Sequence, residues 1–211
     1  SSHFLWPRSE GMAGPVVPAI DANAHTDDKA SGQLAFVFSA PLVRWNSKGP
    51  PNNKLEDVPT DALGNFQAIG IYFSASWCPP CKQLTPVLIE GRRQIHNEYG
   101  EDSFEVVLVS RDRSRAAWLD HLSQLPWLSL IWDHDAGKML RDVLKVTHLP
   151  RLVVINSNGR VICENARGGN AGFGFCCDPL KVYAEILRLI GSNKQQGDDS
   201  DIDTSEDEDE G

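Results

Sequence analysis

The chain has 211 residues, of which 41% are hydrophobic, and its 29 acidic and 20 basic residues give a net charge of -9. Nine of the acidic residues fall within 198–211, so the rest of the chain is close to electrically neutral. With no clustered basic stretch and no run of about 18 apolar residues, the composition argues against a nucleic-acid-binding or membrane-spanning protein.

The length suits a single domain with tails. Residues 1–33 show no apolar periodicity and are predicted to be poorly ordered, 34–191 to form the domain, and 192–211 to be an acidic disordered tail. Ser1–Gly11 lacks the features of a secretory signal, and Met12 is a candidate for the natural start. The five cysteines are an odd number without framework spacing, so we expect a reducing, cytoplasmic location.

The first part of the domain favours strands. The β-forming residues of Leu34–Phe38 and Leu42–Trp45, separated by Pro41, predict two short strands or a strand pair at a sheet edge. Lys48–Pro59 is rich in proline and is predicted to be a loop. Ile69–Phe73 is a continuous apolar run of the kind found in strands covered on both faces, which predicts the central strand.

A helix and a second strand are predicted next. Apolar residues at helical spacing between Cys81 and Tyr99 predict a helix with Pro86 inside it and Gly100 as its C-cap. Phe104–Val109 predicts another buried strand. The order strand, helix, strand implies a right-handed parallel crossover.

Two further helices are predicted in the second half. Ser114–Leu125 reads as a helix that opens with a capping serine and is stopped by Pro126. Trp127–Trp132 is a short apolar segment, and Asp135–Leu144 is predicted to be a helix. The inward side chains of that helix are predicted to be Met139, Leu140, Val143 and Leu144.

The chain then favours a hairpin and a final helix. Leu152–Ile155 and Arg160–Cys163 are predicted strands joined by the turn sequence Asn156–Gly159, and Pro179–Ile190 is a predicted helix. The elements together predict an α/β protein with a central mixed sheet flanked by helices on both faces, parallel in its middle and antiparallel towards the end of the chain. That arrangement is the thioredoxin fold.

A Cys-x-x-Cys pair lies between the predicted central strand and the helix that follows it. Cys78 and Cys81 at this spacing, in a strand–helix–strand context, indicate a dithiol that cycles with a disulfide. A helix N-terminus stabilises a thiolate, Pro79 and Pro80 are tolerated in a first helical turn, and Lys82 adds a positive charge. We therefore predict Cys78 as the nucleophile and Cys81 as the resolving thiol.

The same spacing would also suit half of a zinc site. Such a site needs a second nearby pair, and the other closely spaced cysteines are the adjacent Cys176 and Cys177. Zinc is therefore disfavoured, and we expect no metal and no other cofactor. Cys176 and Cys177 are interpreted as free thiols, with regulatory oxidation as the alternative. Three histidines lack ligand spacing and are interpreted as surface or core residues: His96, His121 and His134.

Five short segments carry a family resemblance. They are Tyr72–Cys81, Leu84–Pro86, Phe104–Ser110, Leu125–Leu128 and Leu149–Pro150. Over roughly residues 60–167 this series resembles the tryparedoxin and nucleoredoxin group of the thioredoxin superfamily. The Tyr-Phe-Ser-Ala-Ser-Trp lead-in to the cysteines and the Pro-Trp-Leu stretch make the resemblance specific.

The resemblance implies roles for further residues. In that group the first cysteine attacks and the second resolves, and a cis proline, here Pro150, faces the dithiol. The backbone of Leu149 would then pair with an extended substrate chain. Tyr72 stands six positions before Cys78, where thioredoxin has a buried aspartate, and a phenol is a poor base at neutral pH. Arg167 aligns with a family arginine near the active face and is assigned to substrate binding.

The resemblance also implies an activity and partners. We expect a thiol–disulfide oxidoreductase that reduces disulfides of protein substrates, peroxiredoxins among them, with a low-molecular-weight dithiol or a reductase as electron donor. Trp77 is interpreted as an exposed aromatic platform for partner chains, with a packing role as the alternative. Arg111–Ser114 stands where tryparedoxins have a tryptophan and acidic residues, and is nearer the nucleoredoxin pattern. The alternative function is a nucleoredoxin-like redox-sensing interaction module. In either case we expect a monomer.

Overall fold

The computed structural model describes residues 40–50, 53–168 and 174–195. The predictions for residues 1–33, for the strand Leu34–Phe38 and for the acidic segment 196–211 lie outside the described residues. None of the helices in the described ranges combines the length and apolar character needed to cross a membrane.

Within the described residues, seven strands form one mixed sheet. They are β1 Leu42–Trp45, β2 Leu55–Val58, β3 Ala68–Ser74, β4 Phe104–Ser110, β5 Leu128–Leu130, β6 Arg151–Asn156 and β7 Val161–Cys163. Their order across the sheet is β2-β1-β5-β4-β3-β6-β7. The pairs β3–β4 and β4–β5 are parallel and the other neighbours are antiparallel, so the predicted mixed sheet is confirmed.

Helices cover both faces of this sheet. They are α1 Pro79–Tyr99, α2 Arg115–Leu122, α3 Asp135–Val143 and α4 Pro179–Gln195, with a short 3-10 helix at Thr60–Asn65. Buried side chains of α1, α2 and α4 share one hydrophobic cluster with one face of the sheet. Buried side chains of α3 and the 3-10 helix share a second cluster with the other face. The predicted α/β architecture with helices on both faces is therefore confirmed.

Strand β3 carries the dithiol at its end. Every one of its residues is buried, as the continuous apolar run predicts. It runs parallel to β4 in a register that places Ser74 opposite Ser110. The prediction of a central strand is slightly wrong, because β4 occupies the middle of the seven and β3 lies beside it. The carboxyl ends of both strands open at the same edge, where Cys78 follows.

The predicted loop at Lys48–Pro59 is wrong, because it contains β2. Leu55–Val58 pairs antiparallel with β1 and forms the sheet edge. Glu56 and Asp57 in its middle are exposed. Acidic residues have low strand propensity, which hides the element in the sequence, but charges are typical of an edge strand because they discourage pairing with another chain.

The prediction of which side chains of α3 face inward is partly wrong. Met139 and Val143 were expected to face inward on α3, yet they are 49% and 42% exposed, while Leu140 is fully buried. Small residues let α3 approach the sheet: a Cβ added to Gly137 would lie 3.3 Å from the Val109 side chain. The buried face therefore combines Leu140 with the small residues Ala136 and Gly137.

Helix α2 begins as predicted and ends earlier. The hydroxyl of Ser114 accepts a hydrogen bond from the Ala117 amide at 3.2 Å, which confirms the capping serine. The helix ends at Leu122, and the chain reaches Leu125 through a turn in which the Leu125 amide donates to the Leu122 carbonyl. Helix α4 extends to Gln195, beyond the predicted end at Ile190.

We expect Gly91→Ala to destabilise the fold. A Cβ at this position of α1 would lie 2.9 Å and 3.0 Å from two ring atoms of Pro179 and 3.2 Å from Phe175, so α4 would have to shift. We predict a loss of about 1 to 2 kcal/mol in the free energy of unfolding, measured by urea denaturation.

Gly191→Ala is the matched control for that substitution. It adds the same methyl group to α4, where nothing lies within 4 Å, so the better helix propensity of alanine should leave stability unchanged or raised by up to about 1 kcal/mol. Equal effects of the two substitutions would show that the packing of α4 on α1 is not limited by this contact.

Candidate active site

Cys78 is the N-cap residue of α1. Its backbone is extended, with φ -90° and ψ 108°, and its amide donates to the Ala75 carbonyl at 3.1 Å. Pro79 and Pro80 occupy the first helical positions, where their missing amides leave no bond unmade. The Lys82 amide donates to the Cys78 carbonyl at 3.2 Å. The structure thus places the first cysteine at the open N-terminus of a helix, as the sequence predicts.

The two cysteines form a compact buried pair in the dithiol state. Cys78 is 5% exposed and Cys81 is 1% exposed, and neither is bonded to another cysteine. Ala75 and Leu149 pack against them. Both cysteines are therefore largely shielded from solvent, Cys81 more completely than Cys78.

The Cys81 thiol is held in its protonated form. Burial, together with the neighbouring Cys78 side chain, raises the pKa of Cys81 to about 11. Cys81 therefore keeps its proton at neutral pH. The arrangement leaves the helix-capping Cys78 as the attacking sulfur and keeps Cys81 as a thiol in reserve.

Tyr72 supports the first turn of α1. Its hydroxyl lies 3.0 Å from Thr85 Oγ1, and Thr85 Oγ1 in turn donates to the Cys81 carbonyl at 2.9 Å. Burial raises the pKa of Tyr72 to about 12. The phenol therefore cannot accept the Cys81 proton at neutral pH, in line with the sequence argument, and its contribution is to hold the helix against β3.

A buried carboxylate that the sequence analysis did not single out fixes the loop before the cysteines. Asp112 Oδ1 accepts from the Ser76 amide at 2.7 Å, and Oδ2 accepts from Ser110 Oγ at 2.8 Å and from His121 Nδ1 at 2.9 Å. Burial opposes ionisation of Asp112, but the hydrogen bonds from His121, Ser76 and Ser110 outweigh it and hold the pKa of the carboxyl below its ordinary value. The active-site loop is thereby tied to the end of β4.

The same loop after β4 positions Trp77. The indole is 48% exposed, and its Nε1 donates to the Arg111 carbonyl at 3.1 Å. The Arg113 guanidinium lies 5.2 Å from the centre of the ring. The predicted exposure of Trp77 is confirmed, and the ring is held in one orientation beside Cys78. Its contact with partner chains stays a prediction.

Pro150 directly follows Leu149, which packs against the dithiol. The Leu149–Pro150 peptide bond is cis, as the resemblance predicts. Leu149 touches the cysteine pair and Pro150 is buried. Arg167 is half-buried, donates from Nε to the Gly168 carbonyl at 3.3 Å, and lines a pocket next to Pro150. The Lys82 side chain is exposed and lines a groove between α1 and α2.

The remaining cysteines lie elsewhere and are unpaired. Cys163 is half-buried on β7, while Cys176 and Cys177 are exposed before α4. The interpretation of these two as free thiols stays a prediction. Within the described ranges, the histidines, cysteines and carboxylates nowhere gather into a group of three or more that could hold a metal ion.

Comparison with known proteins adds a family context. A family model described as thioredoxin-like matches residues 65–161. The chain is 38% identical to nucleoredoxin of Xenopus laevis over 132 residues, which is 62% of this chain and 29% of the relative. It is also 38% identical to tryparedoxin of Trypanosoma brucei brucei over 110 residues, which is 50% of this chain and 74% of the relative. The chain thus spans about three-tenths of the length of the nucleoredoxins that it matches.

Solved structures of tryparedoxins are also similar to this chain. The structure of tryparedoxin from Trypanosoma brucei superposes with a TM-score of 0.52 at 32% identity and covers 64% of this chain and 88% of that one. A structure of tryparedoxin II from C. fasciculata has a TM-score of 0.53 at 30% identity over 65% of this chain. The similarity therefore covers most of each tryparedoxin chain.

We expect iodoacetamide to modify Cys78 well before Cys81 in the folded, reduced chain. With its pKa at about 11, roughly one Cys81 in 10,000 is a thiolate at pH 7, and the thiolate is the reactive form. Mass spectrometry of digested samples taken over time would measure both sites. In denaturant the two cysteines should react at similar rates, and similar rates in the folded chain would contradict the asymmetry described here.

Asp112→Asn should lower the free energy of unfolding at neutral pH, and by less in acid. Because the pKa of Asp112 is lowered by folding, its contribution is complete above the unfolded value of about 3.9 and is lost as the pH falls through the lower folded value. We predict that the stability advantage of the natural chain over Asp112→Asn, measured by denaturant titration, is full above about pH 4 and shrinks below it. An advantage that persists unchanged at lower pH would mean that the charge of Asp112 contributes nothing.

Proposed function

The chain belongs to the thioredoxin-like family that includes the tryparedoxins and nucleoredoxins, and we propose that it is a thiol–disulfide oxidoreductase that reduces disulfides of protein substrates. The observation that carries this proposal is the pair formed by Cys78, at the N-cap of α1, and the buried Cys81 packed beside it, whose thiol keeps its proton. That pairing is the chemical requirement for an attacking thiolate with a resolving thiol behind it.

The reaction proceeds in two exchanges. The Cys78 thiolate attacks one sulfur of the substrate disulfide, forms a mixed disulfide, and expels the other substrate sulfur as a thiolate. Cys81 then attacks the Cys78 sulfur, which breaks the mixed disulfide and releases the second substrate sulfur. The substrate gains two electrons, and the chain is left with a Cys78–Cys81 disulfide.

The proton of Cys81 must leave during the second exchange. Tyr72 is unsuited to accept it, since its pKa lies at about 12. The substrate thiolate released in the first exchange is a stronger base than water and is produced beside the pair, so we assign the proton to that thiolate or to water. The phenol and Thr85 keep the Cys81 carbonyl and the first helical turn in place while this happens.

The substrate chain is proposed to bind between Trp77 and Leu149. Leu149 contacts the cysteine pair from one side, and the exposed Trp77 ring borders Cys78 on the loop leading into α1. An extended peptide can pair with the backbone of Leu149 while its side chains contact the indole. Arg167, near Pro150, extends this surface.

The proposed electron donor rests on the positive charge near Trp77, and the proposed substrates rest on the similarity to tryparedoxins. The Arg113 guanidinium lies over Trp77, and the backbone of Arg111 accepts a hydrogen bond from the same indole. Two arginines in this loop disfavour a donor that carries a polyamine. We therefore propose a low-molecular-weight thiol without polyamine character, or a reductase protein, as the source of electrons. Peroxiredoxins are among the proposed substrates, and the proposed location is the cytoplasm.

A redox-sensing interaction module is the second candidate. The half-exposed Trp77, with Arg113 stacked on it, lies next to the dithiol. Oxidation of Cys78 and Cys81 would therefore alter an exposed surface suited to binding a partner. This function predicts partner binding that differs between the reduced and oxidised chains. A pull-down in which both forms retain the same partners equally would reject it.

We expect Cys78→Ser to lose insulin disulfide reduction by at least about 100-fold, because the attacking sulfur is gone. Cys81→Ser should accumulate a mixed disulfide with the substrate, visible as a mass adduct that dithiothreitol removes, because resolution is blocked. Cys163→Ser removes a thiol remote from the pair and is the matched control, with activity expected to stay within about twofold. Full activity of Cys78→Ser would refute the proposed mechanism.

A further inference from the structure

A groove between α1 and α2 opens beside the dithiol. Its volume of about 630 Å³ lies in the range of roughly 300 to 1,000 Å³ that small-molecule sites occupy. The residues that line it include Ala75, Ser76, Lys82, Asp120 and His121. We call this space the helix groove. Because Ala75 also packs against Cys78 and Cys81, one end of the helix groove borders the reacting sulfurs.

His121 presents a ring nitrogen to the helix groove that the fold leaves unused. Its Nδ1 lies 2.9 Å from Asp112 Oδ2. Although burial opposes ionisation of Asp112, the hydrogen bonds that it accepts lower its pKa, so this carboxyl is ionised at neutral pH. Nδ1 therefore carries the proton, and Nε2 is the acceptor of the neutral ring. Among the described residues Nε2 has no hydrogen-bond partner, and it is not one of the fully buried atoms that lack one, so it can be reached from the helix groove.

An imidazole that is held by a carboxylate at one nitrogen can act as a general base at the other. Asp112 fixes the orientation and the tautomer of the His121 ring, and it stabilises the imidazolium that forms when Nε2 takes a proton. The carboxylate is itself held by the Ser76 amide at 2.7 Å and by the Ser110 hydroxyl at 2.8 Å. The two exchanges by which the chain reduces a substrate make no use of this base.

The step that needs a base is the return of electrons to the chain. After a substrate is reduced, Cys78 and Cys81 form a disulfide that an electron donor must reduce in turn. The attacking species is a thiolate, whereas an ordinary thiol with a pKa of about 8.5 is mostly protonated at pH 7. Tyr72 cannot take that proton, because burial raises its own pKa to about 12. His121, which lines the helix groove beside the pair, is placed to take it.

The charges along the helix groove favour a donor that carries both signs. Lys82 on α1 and Asp120 on α2 are exposed and line the groove, one on each helix. A carboxylate of the donor matches Lys82, and an ammonium group matches Asp120. Both groups occur together in amino-acid and short-peptide thiols, which are small enough for the volume of the helix groove.

We propose that the helix groove binds an amino-acid or short-peptide thiol, and that His121 Nε2 takes its proton as the thiol attacks Cys78 of the Cys78–Cys81 disulfide. The attack forms a mixed disulfide on Cys78 and expels the Cys81 sulfur as a thiolate, to which the imidazolium returns the proton. A second donor thiol attacks the donor sulfur of the mixed disulfide, which forms the donor disulfide and releases Cys78, and its proton passes to Cys78 or to water. Two donor thiols are oxidised, and the chain gains two electrons. The inference rests on the proposed oxidoreductase function.

Reduction of the oxidised chain by small thiols tests the base. The chain with its Cys78–Cys81 disulfide is mixed with glutathione at pH 7, and the cysteines set free are counted over time by alkylation and mass spectrometry. His121→Asn keeps a hydrogen-bond donor for Asp112 but has no basic nitrogen, so reduction should slow by at least about tenfold. With para-mercaptobenzoate, a thiol that is largely ionised at pH 7, no base is needed, and the loss should shrink to within about twofold.

His134→Asn is the matched control. His134 caps α3, on the other face of the sheet, by accepting a hydrogen bond from the Ala136 amide at 3.1 Å, and asparagine can keep that cap. Its rates with both thiols should equal those of the natural chain. An unchanged glutathione rate in His121→Asn would overturn the proposal. An equal loss with both thiols would also overturn it, because His121 would then only hold the active-site loop in shape.

Lys82→Gln tests where the donor binds. Loss of this charge should raise the glutathione concentration that gives half the maximal rate about threefold, relative to that of uncharged mercaptoethanol. Lys181→Gln removes the same charge from an exposed position on α4 and should leave this ratio as it is. If Lys82→Gln leaves the ratio unchanged as well, the donor does not bind in the helix groove and that part of the proposal is wrong.

Insulin reduction separates this inference from the proposed function. The natural chain, reduced beforehand and freed of reductant, is mixed with insulin, so that no donor thiol takes part. If insulin stays intact, the oxidoreductase proposal fails, while the glutathione experiment on the oxidised chain still decides whether His121 takes a proton. If insulin is reduced but His121→Asn accepts electrons from glutathione as fast as the natural chain, the proposed function stands and the inference about His121 fails.

Discussion

The burial of the Cys81 thiol beside Cys78, in the first turn of α1, is the constraint on which the rest of the site depends. It raises the pKa of Cys81, so this sulfur keeps its proton at neutral pH. Three supports keep this geometry: Leu149 packs on the pair, Tyr72 and Thr85 hold the Cys81 carbonyl, and Asp112 holds the Ser76 amide. Each support comes from a different element, so the site exists only in the assembled fold.

The sheet explains why these elements meet. Strands β3 and β4 are parallel and in register, so their carboxyl ends release the cysteine loop and the Arg111–Ser114 loop at the same edge. Asp112 and Trp77 then join the two loops by hydrogen bonds to backbone groups. Strand β6 runs antiparallel to β3 and begins at Arg151, directly after the cis Pro150, so it delivers Leu149 to the same edge. Catalytic, supporting and substrate-facing residues are in this way gathered from three neighbouring strands.

Much of this arrangement is readable from the sequence, and the exceptions have physical reasons. The apolar run of β3, the Cys-x-x-Cys pair and the Leu-Pro dipeptide have strong local patterns, and the structure places them as predicted. Strand β2 was missed because its acidic residues suit only an edge position. The exposure of Met139 was missed because α3 buries its small residues. The Asp112–His121 pair joins residues from two elements, so no local sequence pattern predicts it.

The central claim is that the reduced chain keeps the proton of the pair on Cys81. A titration of the Cys81 Cβ carbon by NMR, in the reduced protein labelled with 13C at cysteine, tests this claim most directly. The account predicts that this carbon keeps its thiol shift through neutral pH and changes only as the pH approaches about 11. A Cys81 carbon that titrates in the neutral range would contradict the account, because Cys81 would then lose its proton at neutral pH and would not be held back as a thiol.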